Sequence, residues 1–270
     1  MIGVETNPVR VFGDVLRALR EKAGLSQREL AERVYCSASL VSAIENGTKP
    51  AKLDLVKLID GALNAGGALI KVWPITTTGN YPSWFALVAE LEKEACKIHE
   101  WEARAVSGLI ETPDYARALM RAGRPRDSDE KIEVDVNARL ERQEIFSRDN
   151  PPMAWFVLDE SILYRPIGGS RVMRHQLIKL EKMTEQTNVV VQVMPFTAIG
   201  HPGVEGPLRI LEFPDSPPIW YSEGWHSGRM AETKDEVSSA MTCFDIIRAS
   251  ALPPDESMRM IAEVRCSKYE

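Results

Sequence analysis

The sequence predicts a chain of two parts: a mainly α N-terminal bundle built round two short helices joined by a tight turn, then an α/β C-terminal domain whose mixed sheet is flanked by helices. Three observations carry this. Between Leu25 and Asn46, apolar residues recur at helical spacing in two short runs. Around 74–81 the stretch ending T-T-T-G-N-Y-P interrupts all periodicity and marks a boundary, which gives domains of residues 1–75 and 76–270. Beyond residue 150, short β-branched runs such as V-V-V-Q-V-M alternate with helical ones.

Residues 1–11 are expected to form a loose arm carrying Arg10. Phe12 to Ala23 reads as the first helix, with Phe12, Val15, Leu16 and Leu19 on one face. Ser26 caps the second, and Glu29 three residues on completes a capping box. Leu30, Ala31 and Val34 form its apolar face. Ser37 caps the third, whose apolar face is Leu40, Val41 and Ile44. Neither short helix can bury a core alone, so each must pack on neighbours. The arrangement that does this while leaving one helix face open is the helix-turn-helix, whose second helix enters a DNA major groove. Lys52 to Leu63 reads as a fourth helix, and a short turn follows through Ala68-Leu69-Ile70.

The face left open on the third helix is Ser37, Ala38, Ser39, Ser42 and Ala43. Strong base discrimination comes from Arg on guanine or Asn and Gln on adenine, at about 1–3 kcal/mol each, and none of these stands at the front of this helix. Modest specificity per half-site follows, raised by dimerisation, by DNA shape or by Arg10. A homodimer on a two-fold-related double-stranded operator is expected.

Phe12 to Leu63 resembles the XRE-type helix-turn-helix domain. The residues that carry the resemblance are Leu16-Arg17-x-x-Arg20, Gly24-Leu25-Ser26-Gln27, Glu29-Leu30-Ala31, Ser37, Val41-Ser42, Ile44-Glu45-Asn46-Gly47 and Pro50. It implies a structural ion pair between Arg20 and Glu45, Gln27 against a phosphate, and phosphate clamping by Asn46, Lys49 and Lys52. For Lys49 and Lys52, plain solvation is the competing reading. One departure is Tyr35, in the turn where many such domains carry Gly; if that position needs positive φ, Tyr35 is strained.

The bulk numbers are compatible with this. The 270 residues are 44% apolar and 27% charged, ordinary for a globular protein. No apolar run approaches the ~20 residues of a membrane span, and the start, M-I-G-V-E-T-N-P, lacks a signal pattern. A cytoplasmic protein without membrane contact is expected. The four cysteines, Cys36, Cys96, Cys243 and Cys266, are far apart with no C-x-x-C pair, so idle thiols are expected rather than a metal site, and no cofactor is expected. The net charge of −6 is unevenly shared. Residues 1–75 hold ten Lys/Arg against eight Asp/Glu, and the remainder 23 against 31. DNA affinity depends on the charge that faces phosphate, not on the total.

In the second domain, helices are expected near Trp84–Ile98, from Pro113 behind the cap Thr112, and over 127–148, where Ile132, Val136, Leu140 and Ile145 fall near heptad spacing and offer a dimer surface. Glu100–Val106 alternates like a strand. Strands follow at Ala154–Leu158, Val189–Met194, Leu208–Phe213 and Ile219–Ser222, with helices at Glu160–Tyr164, Val172–Glu185, Lys234–Ala251 and Asp255–Cys266. The segments G-L-I-E-T-P-D-Y-A, A-R-L-E-R-Q, L-D-E-S-I-L, I-G-G, V-M-P-F, L-E-F-P-D and A-L-P-P-D-E-S resemble the uncharacterised domain behind XRE-type domains in actinobacterial regulators, the WhiJ-like group. This resemblance implies a small partner protein encoded nearby.

Chemistry in this domain would fall to Glu160, His175, His201 and Glu205, since Gly200-His201-Pro202-Gly203 follows the strand V-V-V-Q-V-M. No G-x-S-x-G, P-loop or H-E-x-x-H occurs. The expectation is a non-enzyme in which His201, Trp220 and Tyr221 contact a ligand or partner. Trp155 and Trp225 could line the same pocket, although strand tryptophans more often belong to a core. The competing overall reading is an antitoxin-like module that neutralises a small protein and autoregulates its operon.

Overall fold

The computed structural model describes residues 8–73, 83–224, 227–231 and 233–270. By its contacts the chain divides into two compact units, Met1–Glu90 and Leu91–Glu270. The interruption expected at 74–81 lies outside the described residues.

In the first unit, five helices follow in order: α1 Pro8–Lys22, α2 Gln27–Arg33, α3 Ala38–Glu45, α4 Leu53–Ala62 and α5 Ala68–Val72. Their apolar faces meet in one core of Phe12, Leu16, Leu30, Val41, Ile44, Val56, Ile59 and Leu69. Two close approaches fix the geometry. A Cβ on Gly13 of α1 would stand 2.5 Å from the carbonyl oxygens of Ile44 and Glu45, and one on Gly47 would stand 2.6 Å from the Arg10 backbone. Only glycine lets α1 lie against the end of α3. Asp60 caps α5, accepting from the Gly67 N–H (2.7 Å) and the Leu69 N–H (2.8 Å).

The expected arm is a correction. Pro8 opens α1, as proline does at a first helical turn, so Arg10 is a helical residue. It pairs with Asp14 (3.2 Å) and donates to the Asn46 carbonyl (3.3 Å). Residues 1–7 lie outside the described ones.

α6 (Ser83–Glu94) leads into the second unit: β1 Lys97–Glu102, α7 Pro113–Gly123, α8 Asp129–Arg142, β2 Met153–Asp159, α9 Ser161–Tyr164, α10 Ser170–Met183, β3 Val189–Met194, β4 Leu208–Glu212, β5 Ile219–Gly224, β6 Ser227–Ala231, α11 Lys234–Ser250 and α12 Pro254–Tyr269. The strands form one mixed sheet in the order β3-β2-β1-β4-β5-β6. β1 runs parallel to β2 and antiparallel to β4. One face, with Trp101, Val157, Met194 and Ile210, packs on Ala240, Phe244 and Ile247 of α11. The β3 edge is closed by the Leu252 N–H, which donates to the Val193 carbonyl, and by Ser257 Oγ, which accepts from the Val193 N–H.

Three expectations change here. The helix from Trp84 stops at Glu94 and the strand runs 97–102 rather than 100–106, because Lys97 and Ile98 pair with both β2 and β4. The 127–148 helix ends at Arg142 and tightens into a 3₁₀ turn at Gln143–Phe146; its Ile132 and Val136 are spent against Ala116 and Met120 of α7. β6 was not expected. It carries a glycine and an arginine in a five-residue run and forms by pairing with β5.

Candidate nucleic-acid interface

The interface is assembled from local caps. Ser26 Oγ accepts from the Glu29 N–H (3.2 Å), and the Ser26 N–H donates to Glu29 Oε2 (2.7 Å). Cys36 N–H donates to the Ala31 carbonyl (2.9 Å), closing the turn in which Tyr35 takes φ 54°. Ser37 Oγ accepts from the Leu40 N–H (3.2 Å) and starts α3. Val41, Ile44 and Glu45 face inward. Ser37 and Ser39 are exposed with their hydroxyls 3.0 Å apart; Ala38, Ser42 and Ala43 are half-buried.

Behind this face lies a buried ionic centre. Arg20 donates through Nε to Glu45 Oε1 (2.5 Å) and through Nη2 to Oε2 (2.9 Å). Its Nη1 donates to the Leu25 carbonyl (2.8 Å). Gln27 Nε2 donates to Glu45 Oε2 (2.7 Å), and Arg17 Nε stands 3.5 Å from the same oxygen. Burial pushes the Glu45 carboxyl up, but the hydrogen bonds from Arg20 and Gln27 and the charges of Arg20 and Arg17 outweigh it and hold it below its ordinary value. One carboxylate thus ties α1, the start of α2 and the end of α3 into a rigid frame.

Two residues expected at phosphates already hold partners within the first unit. Gln27 has an amide hydrogen committed to Glu45. Asn46 accepts from Arg17 (2.8 Å) and donates to Ser42 Oγ (3.3 Å), so Ser42 too is partly committed. Lys49 and Lys52 are exposed beyond α3. Gly13 and Arg17 were missed as frame residues. The signal for Gly13 was a glycine in the middle of a strongly amphipathic helix, where it costs stability unless a neighbour needs the space.

The three second-unit residues read as a contact site do not converge. Trp220 lines a cavity of about 710 Å³ together with Leu208, Ser222, Arg229, Glu236 and Cys243, and Arg229 lies over its indole at 5.3 Å. His201 packs edge-on against Trp101 at 5.1 Å, next to Pro202 and Gly203 of the cavity wall. Tyr221, one residue from Trp220, turns to the opposite face with Arg209, its cross-strand partner. Trp225 lies outside the described residues, and Trp155 is a sheet residue bonded to Gln192 (2.6 Å). Of the residues considered for chemistry, Glu160 accepts from the Phe196 N–H (2.7 Å), His175 is exposed on α10, and Glu205 lies on the cavity rim.

That opposite face holds a second ionic centre. Arg209 donates to Glu92 (2.6 Å) and Glu100 (2.5 Å), and Arg142 makes a two-pronged bond to Glu92 (2.8 Å each). Arg139 Nη1 donates to both carboxylate oxygens of Glu111, at 3.0 and 3.1 Å. Burial raises Glu92, but the charges of Arg142 and Arg209 more than reverse it. At Glu102, burial and then the charge of Glu100 outweigh the charges of Arg209 and Arg104 and push the carboxyl up to about 8.

Among the described residues, no three His, Cys, Asp or Glu side chains gather as metal ligands, and no helix is long and apolar enough to cross a membrane.

A capped pair of short helices, the second open to solvent and braced from behind, defines a helix-turn-helix protein of the DNA-binding class. Residues 11–73 match the family model described as a helix-turn-helix domain. Residues 85–263 match the family described as domain of unknown function (DUF5753), and the chain belongs to that family. No curated protein and no solved structure matches the chain.

Proposed function

We propose that this chain is a sequence-specific transcriptional regulator of XRE type with a WhiJ-like second domain, acting in the cytoplasm as a homodimer on double-stranded operator DNA. The observation that carries the reading is the front of α3. Ser37 and Ser39 stand exposed there, with Ala38, Ser42 and Ala43 half-buried beside them, while Leu40, Val41, Ile44 and Glu45 turn to the core or the ionic centre. A face this flat allows the helix N-terminus to sit deep in a major groove. Ser37 and Ser39 meet base edges, with Ala38 against a thymine methyl. Ser42 and Asn46 act as a linked pair. Gln27, Lys49 and Lys52 hold the phosphates. The domain of residues 76–270 supplies dimerisation and signal or partner binding and performs no chemistry; the cavity beside Trp220 suits a small signal molecule.

An antitoxin-like role, in which the second domain neutralises a small protein encoded nearby, has one observation in its favour. Phe196, Ile199 and Val204 stand exposed in the segment between β3 and β4.

Selection of bound fragments from genomic DNA, with the full chain and with residues 1–75, tests the regulator. An inverted repeat enriched only by the full chain is the expected result. No enrichment by either would refute autonomous operator recognition.

A further inference from the structure

Tyr35 is a residue of the first unit that the frame does not use. It is 94% exposed, and its φ of 54° is a conformation that favours glycine. The turn needs that conformation, because the next N–H must reach back to the Ala31 carbonyl and end α2. It does not need an aromatic ring. Among the described residues nothing bonds to the Tyr35 hydroxyl, so the fold gains nothing from the side chain in return for the strain.

Its position gives it a use. Tyr35 stands two residues before Ser37, the cap from which α3 projects. Its Cα is therefore within about 7 Å of the helix start, against a major groove about 12 Å wide. When α3 enters the groove, Tyr35 stands at the groove wall, where the sugar-phosphate backbone runs. Arg33, exposed in the last turn of α2, adds a positive charge to the same rim.

We infer that Tyr35 is a DNA-backbone contact, its phenol O–H donating to a phosphate beside the groove that α3 enters. The inference rests on the DNA-binding reading above. A phosphate bond reads no sequence, so it adds affinity evenly to all duplexes. The phenol is neutral and releases no counterion, so it leaves the salt dependence unchanged, unlike a lysine at the same rim.

The test uses the full chain, a fluorescein-labelled random-sequence duplex of about 30 base pairs at low salt, and the variants Tyr35→Phe and Tyr35→Gly. Both variants are expected to bind roughly fivefold more weakly with an unchanged salt slope. Tyr35→Gly is expected to melt at or above the wild-type temperature, because the turn strain is relieved. Loss of affinity without loss of stability is a result that a structural role would not give. Wild-type affinity in Tyr35→Phe overturns the inference, as does a lower melting temperature in Tyr35→Gly. If the wild-type chain itself leaves the duplex free, the DNA-binding reading fails and this inference with it.

Discussion

The first unit surrounds the buried carboxylate of Glu45 with Arg20, Arg17 and Gln27; the second buries Glu92, Glu100 and Glu111 among Arg142, Arg209 and Arg139. The first centre opens on one side. Arg17 is part-exposed and reaches Asn46 at the surface end of α3, so the charge that holds the frame also steadies the proposed DNA-facing residues. In the second, Glu92, Glu100, Arg142 and Arg209 are all buried, on the side of the sheet opposite α11. The acids within it also differ. Glu92, between two guanidinium groups, is held low, whereas Glu102, beside another carboxylate, is raised. Glu111 is raised by burial even against its bonds from Arg139, so ionisation here follows burial and the number of guanidinium groups together.

The comparison can be broken most forcefully at Arg209. Arg209→Met leaves Glu92 and Glu100 buried with a cation removed, and a loss of about 3–5 kcal/mol in denaturant unfolding is expected. A loss under about 1 kcal/mol would show that the network is dispensable. Glu45→Gln should cost less, about 2 kcal/mol, because Arg20 keeps the Leu25 carbonyl and Arg17 keeps Asn46. It should also weaken binding to random and operator duplexes alike; intact binding in a destabilised variant would separate frame from interface.

Glu102 sharpens the contrast through pH. Its pKa is about 8 folded against an ordinary 4.5, so the folded state holds the proton that the unfolded state releases. The stabilising contribution is complete below about pH 4.5 and is lost as pH rises towards 8. The slope is at most about 1.4 kcal/mol from pH 6 to pH 7. Glu102→Gln should flatten that decline in thermal unfolding measured across pH; an unchanged profile would assign it to other groups. The smallest effect belongs to Lys49→Ala. Stability should not move, while the slope of log affinity against log salt falls by about one unit. A slope that stays put removes Lys49 from the phosphate contacts.

Much of the first unit was legible because its signals are local. Ser26, Glu29 and Ser37 cap helices within three residues of themselves, and the apolar period picks out Leu30, Val41 and Ile44. The turn at Tyr35 was singled out only through the resemblance, in which many such domains carry Gly there, and Tyr35 does take φ 54°. In the second unit the class of fold and four of the strands could be read from β-branched runs. The start of β1 could not, since K-I-H-E-W-E has no strand pattern of its own and becomes a strand between β2 and β4. Tyr221 and Trp220 looked like one site in the sequence, and the pleat sends adjacent residues to opposite faces.

Local signals were enough for the short helices of the first unit and their caps, four strands of the second, and the small-residue front of α3. These follow from interactions between residues a few positions apart, which a linear reading contains. Contacts between distant segments set the rest: Gly13 and Gly47 where α1 meets α3, Gln27 drawn to Glu45, and four glutamates and three arginines gathered on one side of the sheet. Those depend on which surfaces meet, and on how charge is shared once water is excluded between them.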